Sequence, residues 1–501
     1  MLKCNSLFSI FLFALFSFQL NAQDEDKAKL SNSTSRLSSS ELQKNSVKND
    51  MKENARTVLN LEKVLASSLA HFPLVKSALQ DKNRQEAILL QAEGAFDYKF
   101  KVKYDERYEG YYDAQRVKAE IEKPLRAFNS RLYAGFTRSE GEMPVYEQKM
   151  FTLSDGEYRI GLALSLLQNR SIDKNRLKLQ ISELKLKVAE LDYLNELVEV
   201  RKEATKAYWK WVTKGLVVSA YEELLKFAVD RQDALEKRVK RGDVADIYLV
   251  ENNQYILQRQ TSLAEANQDF NISSFKLSMF FRDNEGRPLL APKEFLPNLK
   301  NELMTLSDQT LESDVERAME LSPKLRSLQN KINQASLNQQ FAENQLLPKL
   351  DINIESSKDF GDGSKTLKGT EHRAYVNFEI PLERRKAKGM LRAARFERNS
   401  LSLRQSLQAG MLEVKLKEFF TRVNTSYIKV QNFEQEILLA KRLVEAENIK
   451  FQKGASDFFL INIREQNFAK ARIENIKAYY KYYDALAEYF AVNFGFLADR
   501  K

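Results

Sequence analysis

The hydrophobic and polar positions of this chain change period partway along, and the same change then happens again. From Leu61 to Glu93 apolar residues recur at helical spacing, broken at Pro73, which predicts two consecutive helices. Phe96, Tyr98, Phe100, Val102 and Tyr104 then alternate with Asp97, Lys99, Lys101 and Lys103. A period of two predicts a strand with one aromatic and one charged face. Residues 105–157 are tyrosine-rich and irregular, with an extra hairpin suggested around Arg131–Thr137, and Arg159–Leu166 is the returning strand. An unbroken helical pattern follows over 170–240, reaches Gly242, and is answered by a second helix over 246–281.

The second half repeats this order. Leu61, Glu62, Pro73, Ser77, Asn83, Ala92 and Glu93 reappear 250 positions later as Leu311, Glu312, Pro323, Ser327, Asn333, Ala342 and Glu343. Leu350, Ile352 and Ile354 alternate with Asp351, Asn353 and Glu355, and Val376, Phe378 and Ile380 alternate with Tyr375, Asn377 and Glu379 on the way back. Between them lies a loop with Gly361, Gly363 and Gly369. A helical run over 386–452 ends at Gly454, and a returning helix spans 457–492. Lys240-Arg241-Gly242 corresponds to Gln452-Lys453-Gly454, and Gln254 to Gln466. At 1.5 Å per residue each long run is ~100 Å, so each is one arm of a helical hairpin. Gly242 and Gly454 suit the C′ position, and Asp243, Asp246 and Asp457 are N-cap candidates for the returning helices.

Seams at 3-4 spacing run along both long helices: Ile181, Leu184, Val188, Leu191 and Val198 in one, Phe420, Val423, Tyr427, Val430 and Ile437 in the other. Leu186, Leu197, Trp209, Trp211 and Phe419 lie off these seams. A two-stranded coil would leave them wet, so each helix is expected to have neighbours on both sides. Four strands, two per repeat, cannot close into a barrel. Their unpaired edges would be costly in lipid, so such a chain oligomerises or stays out of the membrane.

Composition narrows the setting. Lys3, the apolar run Leu7–Phe18 and Leu20-Asn21-Ala22 before Gln23 form an export signal, too short for a spanning helix. Cys4 is the only cysteine and lies inside it, so cleavage leaves no thiol chemistry. The charge of +10 falls to +9 without Lys3. The 79 basic residues are interleaved with 69 acids on helices, which reads as solvated helix surface and not as a nucleic-acid footprint. The densest basic run is Arg384, Arg385, Lys386, Lys388, Arg392, Arg395 and Arg398. His71 and His372 lie in unrelated contexts, and Gly361–Thr366 lacks the Gly-Lys step of a phosphate loop. There is no catalytic set, no cofactor site and no metal spacing, so the chain reads as a non-enzyme.

The segments expected are a signal peptide (1–22), a disordered serine-rich arm (23–60), a first repeat (61–283), a linker (284–310), a second repeat (311–495) and a short tail (496–501). This order resembles the TolC-like outer-membrane efflux proteins. The residues that carry the resemblance are the turns Val239–Asp246 and Phe451–Asp457 and the strand-to-helix passages Ile160–Arg170 and Phe378–Leu382. The resemblance implies a mainly α fold with a small membrane β-barrel portion: a homotrimer whose twelve strands, four per copy, close a barrel continued by an α-barrel. It implies a passive exit duct of a tripartite efflux or type I secretion system, in the outer membrane of a Gram-negative bacterium and extending into the periplasm. A periplasmic adaptor would open it and an inner-membrane pump or ABC transporter would power it. Arg241, Gly242, Asp243, Asp246, Lys453, Gly454 and Asp457 would form the tips that meet the adaptor and gate the pore. Phe96, Tyr98, Phe100, Val102, Val376, Phe378 and Ile380 would face outer-membrane lipid. The alternative is a periplasmic coiled-coil structural or adaptor protein without a pore. Many relatives carry an acidic ring beyond the second turn; here Arg464 stands where an acid is expected, and Asp243 and Asp246 of the first turn are the alternative acids.

Overall fold

The computed structural model describes residues 58–110, 112–142, 151–297 and 303–495. The signal segment, nearly all of the serine-rich arm and the tail lie outside the described residues. The chain divides into two compact units. In the smaller one, Met1–Leu59 with Pro292–Pro297, the described residues are held by the Leu59 amide donating to the Phe295 carbonyl at 2.9 Å. The larger unit, Asn60–Ala291 with Asn298–Lys501, carries the elements that follow.

Two short helices open each half. α1 (Leu61–His71) is capped by Asn60, whose side chain accepts from the Lys63 amide at 2.9 Å. In α2 (Pro73–Glu93) the proline starts the helix, where its missing N–H costs nothing. After strands β1–β4 come α3 (Lys174–Lys240) and α4 (Ile247–Ser278). Asp173 caps α3 by accepting from the Asn175 and Arg176 amides at 2.8 and 3.2 Å. The second half repeats the order: α5 (Asp308–Leu321), α6 (Pro323–Asn344, again opened by a proline), two strands, α7 (Arg385–Gln452) and α8 (Phe458–Val492).

The packing order explains the burial. Toward the turns the helices lie side by side as α4, α3, α8, α7; toward the sheet the order is α2, α3, α6, α7. α3 is therefore flanked on both sides within its own chain. Leu197, Trp209 and Trp211 off its seam are buried, with Trp209 stacked on Tyr483 at 3.6 Å and Trp211 donating to the Ala291 carbonyl at 3.1 Å. α7 lies at the end of the row. It exposes Phe396, Leu403, Leu407, Val414, Ile428 and Leu439, while α4 at the other end exposes Ile247, Val250, Leu257 and Phe275.

The strand count departs from expectation. β1 (Lys99–Arg107), β2 (Ala114–Pro124), β3 (Arg131–Gly141), β4 (Gly156–Ser165), β5 (Lys349–Phe360) and β6 (Thr370–Glu379) form one antiparallel six-stranded sheet in sequence order. Four strands per chain is thus corrected to six, because the hairpin suspected at Arg131–Thr137 pairs fully along β2 and β4. Phe96 is also reassigned. It sits in a 3-10 turn (Gly94–Phe96), only 8% exposed and packed with Ala92 and Leu179, because the strand starts three residues later. Tyr98 and Ile380 flank β1 and β6 without belonging to them.

Candidate functional site

The sheet has two faces of opposite chemistry. Cross-strand partners share a face, so the register sorts every side chain. One row runs Phe100, Ile121, Ala134 and Ile160, and ends in Ser356 and His372. Neighbouring rows on that face carry Val102, Ala119, Phe136 and Tyr158, then Leu132, Leu162, Ile354 and Ala374, then Leu164, Ile352 and Val376, then Leu350 and Phe378. Helices do not cover this face: Ile160 is 55% and Phe378 62% exposed. Polar residues on it lie mainly toward the loop ends, as with Glu106, Gln115, Arg138, Glu140 and Lys358.

The opposite face is an ion-pair ladder. Glu122 accepts from Lys101 at 2.9 Å and from Arg131 at 3.2 Å, and its carboxylate is nearly buried under them. Arg159 donates to Glu120 at 2.8 Å, and Arg116 to Asp105 at 2.6 Å. The Tyr133 hydroxyl donates to Glu355 at 2.8 Å, crossing the intervening strand over Gly161. A Cβ at Gly161 would strike the Tyr133 ring, so that residue must be glycine for the bond to form. The alternation predicted for the first and last strands therefore extends to all six. Phe100, Val102, Val376 and Phe378 sit on the apolar face.

The hairpin tips end in Schellman turns. Gly242 and Gly454 have φ of +76° and +71°. The Gly242 and Asp243 amides donate to Val239 and Arg238, and the Gly454 and Ala455 amides to Phe451 and Lys450, at 2.9–3.1 Å. Asp457 caps α8 through the Phe459 amide at 2.5 Å. Asp246 stands at the start of α4 but its side chain makes no capping bond, because its own backbone is already helical. Asp243 meets Arg241 of its own tip at 3.3 Å, an exposed pair. Among the described residues no ion pair joins the first tip to the second.

A buried cluster above the tips makes that link. Arg231 of α3 and Arg259 of α4 both pair with Glu465 of α8, Arg259 at 3.1 Å. Both also donate to Asn462, at 2.9 and 3.2 Å, and Arg259 reaches the Leu224 carbonyl at 2.6 Å. Burial pulls the Arg259 pKa below its ordinary value even with Glu465 alongside. Phe458 lies below, against Tyr248, Tyr255 and Phe451. Nearer the sheet, Lys206 binds Glu488 at 2.7 Å and Asp484 at 3.5 Å. Burial opposes its charge, yet these carboxylates hold its pKa above the usual lysine value. Sequence reading passed over Arg231, Arg259 and Glu465 because single charges in a charge-rich helix look solvated. Arg464, singled out instead, is half-buried 4.0 Å from Glu447.

His71 ends α1 and His372 lies exposed on β6. Among the described residues no His, Cys, Asp or Glu group is placed to hold a metal, and no helix is long and apolar enough to cross a membrane.

Solved structures share the overall fold. The outer-membrane channel OprN superposes with a TM-score of 0.62 at 11% identity, over 87% of this chain and 90% of that one. The chain has the fold of the TolC-like outer-membrane channels. The Campylobacter jejuni CmeC outer membrane channel matches this channel fold with a TM-score of 0.60 at 15% identity, over 88% of this chain and 87% of its own. The Neisseria gonorrhoeae MtrE outer membrane channel, in its open state, gives 0.60 at 10% identity, over 86% and 88%. No protein-family model and no curated protein matches the chain by sequence.

Proposed function

We propose that the protein is a passive outer-membrane exit duct of a tripartite efflux or secretion system. The observation that carries this is the two-faced sheet. A soluble protein rarely exposes a continuous apolar face of this size, and an antiparallel sheet that is apolar outside and charged inside is the design of a transmembrane barrel. The charged face then lines a wet lumen. The long helices extend the duct into the periplasm, and their outer stripes, on α7 and on α4, are covered by copies of the same chain in a homotrimer. The tips around Arg241, Gly242, Asp243, Asp246, Lys453, Gly454 and Asp457 meet a periplasmic adaptor and gate the lumen. An adaptor that binds the open arrangement more tightly shifts the population toward it. Energy comes from an inner-membrane pump or ABC transporter. A periplasmic coiled-coil protein without a pore would have no use for six strands with one bare apolar face.

The test is fractionation followed by reconstitution. The protein is expected in the outer-membrane fraction and, in planar bilayers, to carry ions in discrete steps. Recovery in the soluble fraction with no conductance would overturn this reading.

A further inference from the structure

β1 and β6 are the ends of the sheet, each with a single strand neighbour among the described residues. We propose that β6 of one copy pairs with β1 of the next in one defined register, so that three copies close an eighteen-stranded barrel in place of the twelve strands that four per copy would supply. This rests on the trimeric duct reading and adds the width and the seam.

Three independent features point to the same seam. The first is charge. Aligned end to end, antiparallel β1 and β6 place Lys99 opposite Glu379, Asp105 opposite Arg373 and Arg107 opposite Glu371 on the ladder face, with Phe100 opposite Phe378 and Val102 opposite Val376 on the apolar face. Sliding two residues one way sets Arg107 against Arg373. Sliding two the other way sets Lys103 against Arg373 and Asp105 against Glu371. Like charges directly opposite are destabilising, so both neighbouring registers are penalised. A slip of one residue is excluded outright, because it turns the apolar face inward.

The second feature is tilt. Following cross-strand partners from Lys99 leads through Glu122, Tyr133, Gly161 and Glu355 to Arg373. In the aligned seam Arg373 faces Asp105 of the next copy, six positions beyond the start. The shear per copy thus equals the strand number per copy. A barrel with equal shear and strand number tilts its strands by about 36°, within the usual 35–45°. Sliding toward the smaller shear drops the tilt to about 25°, outside that range.

The third is width. Four helices of one copy lie side by side toward the tips, and at 8–10 Å between axes they span about 36 Å of circumference. Six strands tilted this way span about the same, whereas four would span only about 25 Å. With six strands the helical duct meets the barrel without a constriction. Barrels of 16–18 strands leave an open aqueous channel.

Paired cysteines test the seam in the full-length protein in outer membranes. Cys4 is the chain's only cysteine, so a Cys4→Ser background is silent. Two matched pairs are used, Val102→Cys with Val376→Cys and Lys101→Cys with Asn377→Cys, because alternate positions in an antiparallel pair differ in Cβ spacing. Val102→Cys with Ala374→Cys or with Phe378→Cys gives the offset controls. Oxidation with copper phenanthroline is expected to link a matched pair into a covalent ladder that stops at three copies, with no ladder from the controls. A ladder from an offset pair, a ladder stopping at two or four copies, or no ladder from a protein that still conducts in bilayers would overturn the seam while leaving the duct intact. No ladder together with soluble recovery and no conductance would overturn both.

Discussion

Glu465→Gln is the substitution with the sharpest consequence. Glu465 is 1% exposed and is the one carboxylate between Arg231 and Arg259, so the native cluster already holds two positive charges against one negative. Glutamine keeps the shape, but one of its ends is an NH2 group that must face a guanidinium. Removing one partner from a buried pair costs ~3–5 kcal/mol, because the remaining charge stays buried without compensation. The strain falls locally, since these three side chains tie α3 and α4 to α8 just above the tips. At 1.4 kcal/mol per tenfold, the local opening constant should rise roughly a hundredfold or more. Hydrogen–deuterium exchange read by mass spectrometry on the detergent-solubilised protein is the assay. Peptides covering 224–236 and 458–470 should lose protection, while peptides around Trp211 keep theirs. The triple variant Arg231→Met, Glu465→Met, Arg259→Met should recover most of the protection, since an apolar replacement of a whole buried cluster is often neutral. Exchange within twofold of the parent in Glu465→Gln would refute the claim that this cluster holds the hairpins together.

Ile160→Arg puts a charge in the middle of the apolar face; a cost of ~2–4 kcal/mol near the bilayer centre should lower the amount assembled in outer membranes, whereas Gln115→Arg, at the loop end of the same face, should not. Trp211→Ala empties the largest fully buried site and leaves the Ala291 carbonyl with only the longer bond from the Ser274 hydroxyl at 3.4 Å; a loss of ~3–5 kcal/mol should appear as a marked drop in thermal midpoint by near-UV circular dichroism. Asp246→Ala and Lys453→Ala are expected to raise single-channel conductance by loosening the tips of the closed trimer, and unchanged conductance in both would remove these residues from the gate. Arg241→Ala breaks an exposed pair with Asp243 and an exposed bond to the Lys237 carbonyl and should leave stability within ~1 kcal/mol of the parent.

The elements that could be read from the chain are those whose pattern is long or doubled. The two hairpins were legible because helical spacing runs for more than sixty residues to a glycine, and Pro73 and Pro323 mark equivalent helix starts. The middle strands were not. β2 reads Ala-Gln-Arg-Val-Lys-Ala-Glu-Ile-Glu-Lys-Pro; its alternating apolar run is only Val117, Ala119 and Ile121, and its charges look like loop until their partners on β1 and β4 are known. Phe96 was misplaced for the opposite reason. It keeps the period of two but belongs to the preceding turn, and a short alternating run does not mark where a strand begins. The Arg231–Glu465–Arg259 cluster was invisible because Glu465 lies more than two hundred residues from either arginine in sequence.

The same logic separates the two kinds of apolar surface that the chain leaves open. On the sheet the apolar residues stand together, row upon row, with charges confined to the other face or to the ends. On α7 the exposed leucines and valines are interspersed with lysine and glutamate, as in Leu407, Met411, Val414 and then the Lys417–Glu413 pair. Lipid rejects a charge near its centre, whereas a protein neighbour tolerates one at the rim of a seam, where it stays wet. On the exit-duct reading, the unmixed face is therefore assigned to lipid and the mixed stripes to other copies of the chain. The division falls where α7 begins, at Arg385, directly beyond β6, with Arg384, Lys386, Lys388 and Arg392 crowding the passage from one solvent to the other. A cationic collar at that level suits the anionic headgroup surface of a bilayer, which attracts basic residues within a Debye length by ~1 kcal/mol each. Charge reversal at Lys386 and Lys388 should accordingly weaken membrane assembly, in a manner that fades at high salt, without altering the helix they begin.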